Sequence, residues 1–248
     1  MSDETIGLVP AAGKGVRLGL PYPKELYPII RDNRYKPVSQ FVLENLTSAG
    51  VEHVVFVINE TKHQLIGYFG DGSRFGCHVS YVVQERRGKG SSSSPGLAHA
   101  LDSAYHVIRD KTVLFGMADT IMTPIKVFYH IMEEMTAEDD VSLGLYRTRR
   151  PEKFGMVELD DTSHVRRIVD KPSQTDLDYM WGCMIWRPRF TEHLHNCVWK
   201  RGLGDFALVM NAAIKEGLRF RGVRIEGTYA DLGTYEEIME LEQQHRAP

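Results

Sequence analysis

The chain has 248 residues, enough for one large domain or two small ones with a substantial core. A hydrophobic share of 42% beside 25% charged residues excludes a disordered or fibrous protein, and a net charge of -3 gives no support for non-specific nucleic-acid binding, which wants a strongly basic face. No apolar run approaches a membrane span, the N-terminus lacks a signal peptide, and Cys77, Cys183 and Cys197 are scattered and odd in number; this points to a reducing, cytoplasmic compartment, and the absence of any Cys-x-x-Cys pair points away from structural zinc.

Ile6–Pro10 is an apolar run that predicts a buried strand. It empties into Ala11-Ala12-Gly13-Lys14-Gly15-Val16-Arg17-Leu18, followed by Pro23-Lys24-Glu25-Leu26. Small side chains there let backbone N–H groups approach an anion, and Arg17 and Lys24 add positive charge, so the segment reads as a phosphate cradle. It is neither of two common loops. Lys14 is followed by Gly15, not by the Ser or Thr that holds magnesium in a Walker loop, and a dinucleotide fingerprint needs glycine where Leu18 stands. A plain glycine-rich turn is the alternative; the two cations on one short stretch favour phosphate.

Val38–Ala49 has helical spacing and is stopped by Gly50. Val54–Ile58 is a second strand, Lys62–Phe69 a short helix, Val79–Val83 a third strand, Gly96–Ile108 a helical pattern and Thr112–Gly116 a fourth strand. This alternation predicts an α/β fold with a mostly parallel sheet, helices on both faces, and ligands at the carboxyl ends of the strands. The opening loop, the segment after Gln84 and the segment after Gly116 all fall there. The Gln84 amide, both donor and acceptor, suits the edge of a pyrimidine base, although alone it reads more readily as a surface polar residue. The stretch from Arg86 to Ser94 is too polar to pack and reads as a mobile loop, a lid or a solvated excursion. Asp119, just past the fourth strand, can hold Mg²⁺ or end the strand in an Asx-turn.

The second half holds short β runs at Val141–Tyr146, Gly155–Leu159, Val165–Val169, Met180–Trp186 and Phe220–Ile225, with a helix over Gly204–Lys215. No repeat or linker appears, so residues 1–248 read as a single domain: a nucleotide half to about residue 135 and a second-substrate half from about 136. Gly155 would let a ligand approach the backbone and Lys171 could bind a phosphate monoester, against the plainer readings of a bulge glycine and an exposed turn lysine. His193 and His195 lie in a polar helical stretch and are expected at the surface. Asp231 is either a second metal carboxylate or a helix cap. The closing helix, about Thr234–Gln243, places Tyr235, Ile238, Met239 and Leu241 at helical spacings and is expected to dock on the core.

In order, these segments resemble the sugar-1-phosphate nucleotidyltransferases, the pyrophosphorylases that make nucleoside-diphosphate sugars, of the glucose-1-phosphate thymidylyltransferase and uridylyltransferase type. The family's opening loop looks like Ala11 to Leu18, its Pro-Lys-x-Leu-x-Pro like Pro23 to Pro28, and its base-reading Gln and Gly-Leu-Ala like Gln84 and Gly96-Leu97-Ala98. Its Gly-Asp turn looks like Ala118-Asp119, its Tyr-Gly-Val-Val-Glu like Phe154 to Glu158, its Glu-Lys-Pro like Asp170-Lys171-Pro172, and its Trp-x-Asp-x-Gly-Thr like Tyr229 to Thr234. No single match is specific; the ordered series, from Val9 to about Glu237, is.

The resemblance implies a Rossmann-like, glycosyltransferase A-type mixed sheet, and condensation of an NTP with a sugar 1-phosphate to an NDP-sugar and pyrophosphate. It implies Mg²⁺ on Asp119 and Asp231, and two catalytic cations: Arg17 on the departing pyrophosphate and Lys24 on the α-phosphate. It puts Pro10, Ala11, Ala12, Gly13, Gly15, Gln84 and Gly96 around the nucleotide, and Gly155, Asp170, Lys171 and Trp181 around the sugar phosphate. Trp181 stands where the family has a small or polar residue, and the stretch from Arg86 to Ser94 separates the base-reading elements, so the sugar and the base stay open, as does self-association. A cytidylyltransferase acting on a cyclitol, polyol or amino-alcohol phosphate is a rival with the same chemistry. A noncatalytic nucleotide-sensing subunit is a rival of another class, opposed by the presence of both aspartates, Arg17 and Lys24. A dehydrogenase is disfavoured by Leu18.

Overall fold

The computed structural model describes residues 4–15, 18–31, 34–85 and 96–246. The first half runs β1 (Thr5–Pro10), β2 (Pro28–Arg31), β3 (Arg34–Pro37), α1 (Val38–Ser48), β4 (His53–Ile58), α2 (His63–Phe69), β5 (His78–Val83), α3 (Leu97–Asp102), α4 (Tyr105–Ile108), β6 (Thr112–Gly116), β7 (Thr120–Met122) and α5 (Val127–Glu134). The second runs β8 (Val141–Arg147), β9 (Gly155–Leu159), β10 (Val165–Asp170), β11 (Tyr179–Trp186), α6 (Pro188–Arg201), α7 (Phe206–Lys215), β12 (Phe220–Arg224), β13 (Tyr229–Asp231) and α8 (Tyr235–Arg246).

One sheet crosses both halves in the order β10-β9-β11-β6-β1-β4-β5, with β8 pairing β11 and β12. β6, β1, β4 and β5 run parallel, so their carboxyl ends open on one edge. β11 is antiparallel to β6 and β8, and β9 pairs antiparallel with β10, which makes the sheet mixed. Alternation along the parallel strands sets the two layers. Ile6, Leu8, Val57, Val113 and Phe115 meet α3, α4, α6 and α7 on one face; Val9, Val54, Phe56 and Leu114 meet α1, α2 and α5 on the other. Strands covered on both sides must be apolar throughout, which is why these runs were legible. Each such buried side chain contributes roughly 1.5–3 kcal/mol.

Several elements depart from expectation. The helix over Gly96–Ile108 is broken into α3 and α4, where the Ser103 hydroxyl donates back to the His99 carbonyl at 2.8 Å. The β2–β3 hairpin and the β7–β13 ladder carry little periodicity of their own, whereas α5 and the full extent of α6 went unread although both helices are amphipathic. β7 and β13 are three residues each and the hairpin has a proline at either end. α8 docks through Ile238 and Leu241, whereas Tyr235 and Met239 are more than half exposed; the Tyr235 hydroxyl donates to the Leu18 carbonyl at 2.6 Å.

His193 is not a surface residue, and His195 is half-buried. α6 lies between α3, α4 and α7, so its polar-looking face is covered. His193 is buried with Nε2 3.2 Å from Cys197 Sγ and Nδ1 3.3 Å from Glu216, and burial pushes its imidazole below the usual range. His195 Nδ1 bonds the buried Asp102 carboxylate at 2.7 Å.

Asp139, whose side chain is fully buried, accepts from Arg221 Nε at 2.7 Å and from the Thr136 N–H and hydroxyl. Burial pushes this carboxyl up, but those donors outweigh it and hold it below the usual carboxylate range. A depressed native value gives stability that is complete above the ordinary carboxylate pKa and is lost as pH falls through the native value. Acid unfolding followed by circular dichroism is therefore expected to begin at higher pH in Arg221→Leu than in the wild type; coincident transitions would show that the pair carries no such role.

Candidate active site

The carboxyl edge of the parallel strands encloses a pocket. β1 delivers Pro10, Ala12, Gly13 and Lys14, a 3-10 turn at Lys24–Leu26 delivers Lys24 and Glu25, and β4 ends in Asn59. β5 ends in Gln84 and Glu85, α3 opens with Gly96 and Leu97, and β6 leads to Met117 and Asp119. The cradle is fixed from beneath. The Ala11 N–H donates to Val57 O at 2.7 Å, Asn59 Nδ2 donates to Ala12 O at 2.8 Å, and the Gln84 N–H donates to Ile58 O at 2.7 Å. Ala11 is buried and faces the core, not the pocket. Gly15 has φ +64, a left-handed conformation that glycine adopts without strain, and borders an adjoining concavity with Lys14, Lys24 and Lys62. Arg17 and the stretch from Arg86 to Ser94 lie outside the described residues.

Gly96 is dictated by packing: a Cβ there would stand 2.1 Å from the Gly204 carbonyl oxygen. Sequence reading missed Gly204, as it missed Asn59, Glu25 and Lys62. Asn59 was findable, since it ends a parallel strand at the ligand edge. Nothing in the spacing of Glu25 and Lys62 announced that they meet.

Asp119 and Asp231 come together although they are distant in sequence. β13 pairs antiparallel with β7, Asp231 opposite Thr120, and the Leu232 N–H donates to the Asp119 carbonyl at 3.0 Å. The helix-cap reading of Asp231 fails. Glu237 Oε2 accepts from the Gly233 and Thr234 N–H groups at 2.9 Å, and Thr234 Oγ1 accepts from the Glu237 N–H at 3.3 Å, a capping box that serves α8 without it. Lys24 Nζ forms an ion pair with Asp119 Oδ2. Burial pulls this ammonium down, but Asp119, with smaller contributions from Glu25 and Asp231, outweighs burial and holds it above the usual lysine value. Among the described residues no three or more His, Cys, Asp or Glu side chains form a metal cage. Two carboxylates suit Mg²⁺, which takes its remaining ligands from phosphates and water.

The four residues expected around a sugar phosphate are neighbours of one another but do not line this pocket. Cys183 of β11 pairs with Gly116 of β6, and Met180 pairs with Met156 of β9. Trp181 therefore sits at the fork where β11 leaves β6 and takes up β9. Its ring packs on Phe115 and Phe206, with centroids 6.2 and 5.9 Å away. A Cβ on Gly155 would come 2.4 Å from Trp181 Nε1, so the indole alone already requires glycine at this position. Asp170 pairs with Gly155 and is exposed. Lys171, also exposed, has φ +45, uncommon for a side-chain-bearing residue, and its N–H donates to Phe154 O at 3.0 Å. Tyr229, two residues before Asp231, lies edge-on to Phe154 at 5.8 Å and against Gly182, joining this group to the carboxylates.

A pocket at the carboxyl edge of a parallel sheet, lined by a small-residue cradle, a lysine and Asp119, with Asp231 beside it, is the form of a nucleotide site. The nucleotidyl transferase family model matches residues 6–247, and the chain belongs to that family. It is 28% identical over 240 residues to a glucose-1-phosphate thymidylyltransferase of Streptomyces griseus, covering 94% of this chain and 64% of that one. It is 24% identical over 226 residues to a low-salt glycan biosynthesis nucleotidyltransferase of Haloferax volcanii, covering 89% and 59%. The chain thus spans about three-fifths of the length of these curated relatives. The fold matches a Bacillus anthracis structure in complex with sucrose (TM-score 0.83, 20% identity, 98% of this chain and 96% of that one). It also matches a UDP-glucose pyrophosphorylase complexed with UDP-glucose (TM-score 0.79, 22% identity, 97% and 98%). Among the described residues no helix is long and apolar enough to cross a membrane.

Proposed function

We propose that this protein condenses an NTP with a sugar 1-phosphate, releasing pyrophosphate. The observation that carries the reading is the meeting of Lys24, Asp119 and Asp231 at the end of β6, beside the cradle from Pro10 to Gly15. The nucleotide lies in the first half, with its base toward Gln84 and Gly96 and its phosphates on the cradle. The acceptor comes from the second half, past Trp181, with Lys171 and Asp170 on its phosphate and sugar.

The acceptor phosphate is already ionised and needs no general base, so catalysis is alignment and charge neutralisation at the α-phosphorus. An acceptor oxygen bonds to that phosphorus as the bond to pyrophosphate breaks. Lys24 balances charge on the α-phosphate, and Arg17 is assigned to the leaving pyrophosphate because its planar fork spans two oxygens. Asp119 and Asp231 would hold Mg²⁺, whose contribution when bound is to neutralise phosphate charge.

A matrix of common NTPs against sugar, cyclitol and amino-alcohol phosphates, read by pyrophosphate release, tests the reaction. Release with a sugar 1-phosphate, abolished by EDTA, is expected. Release only with the other phosphates would move the reading to a cytidylyltransferase-like acceptor, and NTP binding without release to a sensor. In the same assay Lys24→Met is expected to lower kcat about a hundredfold, the effect of roughly 3 kcal/mol of lost charge stabilisation, with KM for the acceptor nearly unchanged.

A further inference from the structure

An ion pair with no part in the chemistry above lies beside Lys24. Glu25 and Lys62 meet at 2.5 Å, with side chains 2% and 4% exposed. Bringing two ions out of water costs several kcal/mol each, and apolar side chains of similar volume commonly fill such space with no loss of stability. Stability alone therefore does not account for the pair; its location does.

Lys24 and Glu25 are consecutive residues of one 3-10 turn, and their side chains go to different partners: Lys24 to Asp119 after β6, Glu25 to Lys62 before α2. The backbone of the turn is held by Leu26 N–H on Pro23 O and Tyr27 N–H on Lys24 O, both 2.9 Å, and by the Ser39 hydroxyl on Glu25 O at 2.7 Å. Four charges of alternating sign, Asp119, Lys24, Glu25 and Lys62, thus link three separate segments. Glu25 borders the nucleotide pocket, and Lys62 borders the adjoining concavity.

We propose that the Glu25–Lys62 pair is a positioning device for Lys24, orienting the turn so that its ammonium reaches both Asp119 and an incoming α-phosphate. The assignment deepens the transferase reading and rests on it for the identity of that phosphate.

The test is a cycle of variants. Glu25→Leu/Lys62→Met removes both charges together, so no lone ion is left buried, and its melting temperature is expected to stay close to that of the wild type. Each protein is titrated by calorimetry, with Mg²⁺ and without acceptor, against whichever of ATP, CTP, GTP, UTP and dTTP the wild type binds best. The double substitution is expected to weaken affinity about tenfold in the wild-type background and less than twofold in the Lys24→Met background, because the pair acts through Lys24. Equal losses in both backgrounds would show a merely structural role and overturn the proposal, as would no loss in either. Should the double variant fail to fold, Lys62→Arg, which keeps the cation but moves it, takes its place in the same cycle. Failure of the wild type to release pyrophosphate with any acceptor would sink the transferase reading while leaving this cycle readable.

Discussion

An Asp119→Ala variant is expected to fold normally and to release pyrophosphate about a thousandfold more slowly than the wild type. The fold is spared because Asp119 contributes to it through its main chain. The bond from the Leu232 N–H to its carbonyl survives the substitution, and its side chain is not part of either apolar layer. The loss is large because one carboxylate has two partners here. It is the counter-ion of Lys24, and it lies beside Asp231, which pairs with the adjacent Thr120 of β7. Removing a single preorganised charge contact at a reacting phosphate or acyl centre typically costs ~3–4 kcal/mol, or a hundred- to a thousandfold in rate, and on the proposed reading Mg²⁺ binding and the lysine would be disturbed together. Asp119→Asn, which keeps the shape, is expected to fall nearly as far. Turnover near the wild-type level in magnesium for either variant would remove Asp119 from the site.

Gly96→Ala is expected to be the most destabilising single-methyl change in the pocket. The added carbon would lie 2.1 Å from the Gly204 carbonyl oxygen and 2.9 Å from its carbon, and both neighbours are backbone. No flexible side chain can yield, so α3 or the segment before α7 must shift. Overpacking of this kind costs about 3 kcal/mol, which for a chain of this size lowers the melting temperature by about 6–12 °C. KM for the nucleotide should rise as well, since Gly96 and Leu97 border the pocket. Gly13→Ala is the control: a Cβ there meets nothing within 4 Å, so its melting temperature should hold while close approach of phosphate is hindered. Equal melting temperatures for the two variants, measured by circular dichroism, would show that the Gly96–Gly204 contact is not tight.

β1, β4 and β6 were legible because burial on both faces makes them unbroken apolar runs, and Lys24, Gln84, Gly96 and Asp119, which the resemblance grouped, line one cavity. What escaped was set by tertiary pairing. β7 and β13 are too short to show a period, yet they decide that Asp231 faces Thr120 and does not cap α8. His193 sits among charged neighbours in the chain and is nevertheless covered by α7. Gly155 was read as an approach for ligand, although the residue that requires it, Trp181, lies 26 positions later, and only the β9–β11 register brings the two together. Glu25 and Lys62 form a contact that no local pattern encodes.

The ladder between β7 and β13 also bears on when the protein can act. It is closed by Thr123 and Thr228, 105 positions apart, whose hydroxyls meet at 2.8 Å. Closing so long a loop is entropically costly and slow compared with local contacts. During synthesis the residues from Pro10 to Lys24 emerge long before Asp231, so the two aspartates can meet only late. The paired aspartates are therefore among the last features of the fold to form, once the ladder between β7 and β13 has docked.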